Sequence, residues 1–141
     1  MSDIIKKYEE EMSDINSTTV KNVKGKLSKT DVEIKFEEEY PILSEEFKNI
    51  QDEMYKMFAA KHMDYGLNNI ALGGDIVNNS DDKQFSLTGL CIRLTDKISR
   101  LKNLLINGGS FVEGEGMEDT FIDIANYGII GLLVGRDKWK K

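Results

Sequence analysis

One proline, one cysteine, one histidine and one tryptophan occur in 141 residues. So little proline suits long uninterrupted helices, because proline removes a helix hydrogen bond and clashes with the preceding turn. A single cysteine, Cys91, excludes an internal disulfide and suits a reducing cytoplasm. It falls within an apolar helical pattern and reads as a small buried hydrophobe. No segment approaches the roughly 20 apolar residues of a membrane span. The opening MSDIIKKYEEEMSDI lacks the apolar run of a signal peptide. Positive charge is also short: 19 basic residues face 25 acidic ones, a net charge of −6. Such a surface repels phosphate, so duplex nucleic acid is not an expected partner. Free nucleotides, peptides and metal ions remain open as ligands.

What is present is helical periodicity. Ile4, Ile5, Tyr8, Met12 and Ile15 predict an amphipathic helix over 2–15. Val32, Ile34 and Phe36 alternate with Glu33 and Lys35, which predicts a short strand. A β-hairpin turning near Gly25 and a mobile arm both fit residues 18–37. Ser44 is the expected start of a helix with the stripe Phe47, Ile50, Met54, Met57 and Phe58, ending at Gly66. A shorter helix is expected over 67–78, followed by a polar loop, NNSDDKQ. The next helix is placed from Ser86 to Ile106, with Leu87, Leu90, Cys91, Leu94, Ile98, Leu101 and Leu105 as its seam. The loop GGSFVEGEG leads to a final helix from Met117 to Arg136. The expected fold is all-α, a bundle of four to five helices. The expected division is an N-terminal helix and arm over 1–40 and a helical domain over 41–141.

The final helix is apolar in almost every direction, which marks a buried or interface helix. Against that background Asp119, Asp123 and Asn126 form one stripe, at about 100° per residue. On the preceding helix Arg93, Asp96, Lys97 and Arg100 form another. A short connection makes the two helices antiparallel neighbours, so the basic row is expected to face Asp119 and Asp123. Two readings stay open: a structural ion-pair network, or a pocket with cations for phosphate and carboxylates for Mg²⁺. The segment KHMDYG, residues 61–66, adds Lys61, His62, Asp64 and Tyr65. Lys61, His62 and Gly66 suit an ordinary helix C-terminus. Asp64 and Tyr65 do not follow from that role. Tyr65 suits stacking on a base, and His62 suits a phosphate contact or acid–base work.

These three segments resemble the nucleotide modification associated domain family of the first type, known from phages and bacteria. The family's pattern falls here on Lys61, Asp64, Tyr65 and Gly66; on Arg93, Asp96, Lys97, Arg100 and Leu101; and on Asp119, Thr120, Asp123 and Tyr127. The resemblance spans about residues 47–135 and implies a helical domain tied to nucleotide metabolism or base modification, in a bacterial or phage-infected cell. The last helix is also similar to all-α nucleotide pyrophosphohydrolases. It departs from them in spacing Asp119 and Asp123 by four, with no Glu-x-x-Glu facing the core in the helix at 44–64.

Three functions follow as expectations. The first is a nucleotide-binding domain, which includes sequestering a signalling nucleotide. Its ligand residues are Lys61, His62, Asp64, Tyr65, Arg93, Asp96, Lys97, Arg100 and Asn126. The second is a Mg²⁺-dependent hydrolase using Asp119 and Asp123. The third is an interaction protein. In each case the apolar last helix predicts a homo-oligomer.

Overall fold

Thr30 opens the first helix. Its hydroxyl accepts from the backbone N–H of Glu33 at 3.2 Å, while the Glu33 carboxylate accepts from the Thr30 N–H at 2.7 Å. This reciprocal cap satisfies two donors that a helix start leaves free. The Glu33 carboxylate accepts from both the N–H and the hydroxyl of Thr30, and these bonds hold its pKa below the ordinary value. The structure, a computed structural model, describes residues 29–141. The helix predicted over 2–15, and the arm before residue 29, lie outside the described residues. By its internal contacts the chain divides between Glu46 and Phe47.

Five helices and no strand occur among the described residues, so the fold is all-α. Helix α1 spans Asp31–Glu39 and corrects the strand expected at Val32, Ile34 and Phe36. None of its residues is buried. Alternation specifies a strand only where one face is covered, and here the local cap decides instead.

Helix α2 spans Pro41–Tyr65. It starts three residues before the expected Ser44, because proline's fixed φ and missing N–H suit the first helical position. Ser44 donates its hydroxyl to the Pro41 carbonyl at 3.0 Å, inside the first turn. At the other end Gly66 takes φ +67° and donates its N–H to the His62 carbonyl at 2.8 Å. Of the expected apolar stripe, Phe47, Ile50 and Met57 stay exposed.

Helix α3 is a single turn, Asn68–Ala71, shorter than the 67–78 expected. Helix α4 spans Ser80–Asn107 and begins within the supposed loop. Asn79 is the reason: its side chain accepts from the N–H groups of Asp81 and Asp82, at 2.9 and 3.2 Å. Those two acids also favour the positive end of the helix dipole. Helix α5 spans Met117–Gly135. It packs most closely on α4, and α3 packs on α4 as well.

The core gathers Ile70, Ala71, Ile76, Leu90, Ile130, Val134 and Trp139. Leu87, Leu67, Phe58 and Tyr127 pack against it. Cys91 is exposed, which corrects its reading as a buried hydrophobe. One position along from Leu90, it turns about 100° away from the seam. Ile98 and Leu105 are exposed too, and Leu104 is the buried residue of the last turns of α4. Among the described residues no helix is long and apolar enough to cross a membrane.

Candidate functional site

Asp123 sits where three segments meet. Its Oδ1 accepts from Lys61 Nζ of α2 at 2.9 Å, and its Oδ2 lies 2.7 Å from Lys97 Nζ of α4. Burial pushes the Asp123 carboxyl up, but the hydrogen bonds and charges of Lys97 and Lys61 outweigh it and hold its pKa below the ordinary carboxylate value. The bond to Asp123 raises the Lys61 pKa against the opposing effect of burial. One partly buried carboxylate thus carries two ammonium groups.

Around this bridge lies a cavity of about 360 Å³. Lys61, His62, Tyr65, Arg93, Lys97, Asp123 and Asn126 all line it, which brings seven of the residues singled out in the sequence together. Arg93 donates to the Asn69 carbonyl at 3.0 Å and to Asn69 Oδ1 at 3.3 Å. Among the described residues no carboxylate pairs with it. The wall therefore carries three cations, Lys61, Arg93 and Lys97, against one carboxylate, Asp123. That is a local charge of +2 in a chain of net charge −6.

Five aromatic rings, those of Phe58, His62, Tyr65, Tyr127 and Trp139, also line the wall. His62 stacks on Phe58, with ring centres 5.6 Å apart and planes 20° from parallel. Trp139 meets the His62 ring edge-on at 5.1 Å and 89°. Trp139 is buried, and its indole N–H donates to the Leu67 carbonyl at 3.0 Å. His62 and Phe58 are four residues apart on α2, so both face Trp139. Tyr65 is largely exposed at the cavity. Asn126 is buried, and its side chain lines the cavity without a protein hydrogen-bond partner among the described residues.

The other expected residues lie elsewhere. Arg100 and Asp119 line an adjoining hollow of about 280 Å³, which shares Lys61, Lys97 and Asp123 with the main cavity. Arg100 was expected to face the acids of α5. It instead binds Glu115 of the α4–α5 loop, at 2.6 Å to the carboxylate and 3.1 Å to the carbonyl. Asp119 accepts from the Gly116 N–H at 3.2 Å and so closes the start of α5. Asp96 borders a separate groove beside Phe111 and Val112. Asp64 is exposed and lines neither cavity.

Phe58, Asn69, Tyr127 and Trp139 also line the main cavity but were not among the expected ligand residues. Tyr127 had a signal, because it belongs to the quoted motif of the last helix. Trp139 had only its singularity in the chain, since its position past the end of α5 has no periodicity to read.

For a metal, Asp119 and Asp123 offer one oxygen set each, and both oxygens of Asp123 already face lysine ammonium groups. Among the described residues no group of three or more His, Cys, Asp or Glu side chains converges on a point. What the main cavity offers is cationic donors beside aromatic faces, the chemistry of anion binding with ring stacking.

No curated protein and no solved structure matches the chain. The sequence profile of one family does match, over less than half the chain. The matched stretch holds α4 and nearly all of α5, with Arg93, Lys97, Asp123 and Asn126, while Lys61, His62 and Tyr65 precede it. Residues 75–134 are matched by the family described as nucleotide modification associated domain 1.

Proposed function

We propose that the main cavity binds a single nucleotide. The observation that carries this reading is the local charge of +2 beside the His62, Tyr65 and Trp139 rings, within one 360 Å³ space. That volume lies in the lower part of the range of about 300–1,000 Å³ for small-ligand sites. The phosphate is assigned to Arg93, whose planar fork can bind two oxygens, with Lys61 and Lys97 as point charges. The base is assigned to Tyr65, where stacking is worth about 1–3 kcal/mol. Asn126 supplies a donor and an acceptor for a base or ribose. The name of the matched family supports a role associated with nucleotide modification.

Calorimetric titration with nucleoside mono- and triphosphates, with and without Mg²⁺, tests the reading. The expected result is saturable binding that falls at least about tenfold in Arg93→Ala and weakens with salt. Absence of binding by every nucleotide sinks it. Turnover of the nucleotide that is lost in Asp123→Asn would instead assign a hydrolase.

A further inference from the structure

Helix α5 has two faces. The inner one buries Ile130 and Val134. The outer one runs through Glu118, Phe121, Ala125, Gly128 and Leu132 and continues to Arg136 just past the helix end, spaced 3, 4, 3, 4 and 4, and each of these residues is exposed. Phe121 and Leu132 are each 54% exposed in the middle of an apolar row. A row spaced three and four residues apart is a seam that a second helix can cover.

Gly128 is the telling residue. Glycine weakens a helix interior, so a mid-helix glycine needs a reason. Gly131 has a neighbour within the chain: a Cβ there would lie 3.4 Å from Leu90 Cδ2. At Gly128 a Cβ would meet nothing within 4 Å, and its φ is not left-handed. With Ala125 it forms a shallow saddle between the larger Phe121 and Leu132. A saddle of that kind admits the close approach of another helix.

The ends of the row carry opposite charges. Glu118 stands at one end and Arg136 at the other, and neither has an ion-pair partner among the described residues. We infer that α5 is the interface of an antiparallel two-fold dimer of this chain. In that arrangement Phe121 lies on the partner's Leu132, Ala125 on the partner's Gly128, and Glu118 beside the partner's Arg136. A two-fold axis makes every contact occur twice, and this row is complementary to its own reverse. A parallel pairing would set Glu118 against Glu118 and Arg136 against Arg136.

Sedimentation equilibrium of the full chain tests the inference. The wild type is expected at twice 16.0 kDa. Gly128→Arg is expected to sediment as a monomer with its helical circular dichroism intact. Glu118→Lys and Arg136→Glu are each expected to weaken association about tenfold, two ion pairs being lost at once by symmetry. The double variant is expected to restore it. A monomeric wild type overturns the proposal, whatever other segment or partner covers the row. So does a Gly128→Arg dimer, or a double charge reversal no tighter than the single ones.

Discussion

Lys97 and Lys61 hold opposite oxygens of Asp123, at 2.7 and 2.9 Å, and so tie α4 and the end of α2 to one carboxylate on α5. Removing that carboxylate leaves two ammonium groups facing each other with no counter-ion. Asp123→Ala is therefore expected to lower stability by about 1–3 kcal/mol in urea unfolding. Asp123→Asn raises the cavity charge from +2 to +3. It is expected to tighten nucleotide binding about two- to tenfold at low salt, read by the same titration as the wild type. Weaker binding in Asp123→Asn would mean that the carboxylate itself contacts the ligand.

The same bridge sets a pH dependence. Asp123 has a folded pKa below its ordinary 3.8, so its contribution is complete above pH 3.8 and is lost as pH falls through the lower folded value. Lys61 has a folded pKa above 10.5, so its contribution is complete below pH 10.5 and is lost as pH rises through the higher folded value. The melting-temperature difference between wild type and Asp123→Asn should stay level between these limits and shrink only outside them. A difference that fades near neutral pH would mean that the bridge does not set it.

Trp139 is the only tryptophan in the chain and part of the cavity wall. A nucleotide seated against His62 and Tyr65 should change its fluorescence in a saturable way, with the midpoint found by calorimetry. Trp139→Ala also empties a core position beside Phe58 and should cost about 3–5 kcal/mol. Trp139→Phe keeps most of the packing and loses the bond to the Leu67 carbonyl, so it should cost about 1 kcal/mol in the same unfolding measurement.

Gly66 turns the chain away after Tyr65 with φ +67°, and a Cβ there would meet nothing within 4 Å. The cost of Gly66→Ala is thus conformational rather than steric, about 1–2 kcal/mol. Because Gly66 borders the cavity next to Tyr65, nucleotide affinity should fall along with stability. A variant that loses stability and keeps full affinity would remove Tyr65 from the ligand contact.

The helical class, the stop at Gly66 and the span of α5 were legible in the sequence. Each rests on local chemistry: sparse proline, apolar residues at helical spacing, and glycine where the chain reverses. The stretches misread were those where two local signals compete. Alternation at Val32, Ile34 and Phe36 lost to the Thr30–Glu33 cap, and the polar run NNSDDKQ became a helix start because Asn79 caps it. The candidate site was partly legible, since residues one or two turns apart share a helix face whatever the fold. Which cation meets which acid was not. Lys61 is 62 residues from Asp123, and only the packing of α2, α4 and α5 makes them neighbours. The same packing gives Arg100 to Glu115, commits Asp119 to its own helix start, and brings Trp139 back onto His62, because ion pairs and ring contacts depend on distances that a linear spacing does not set.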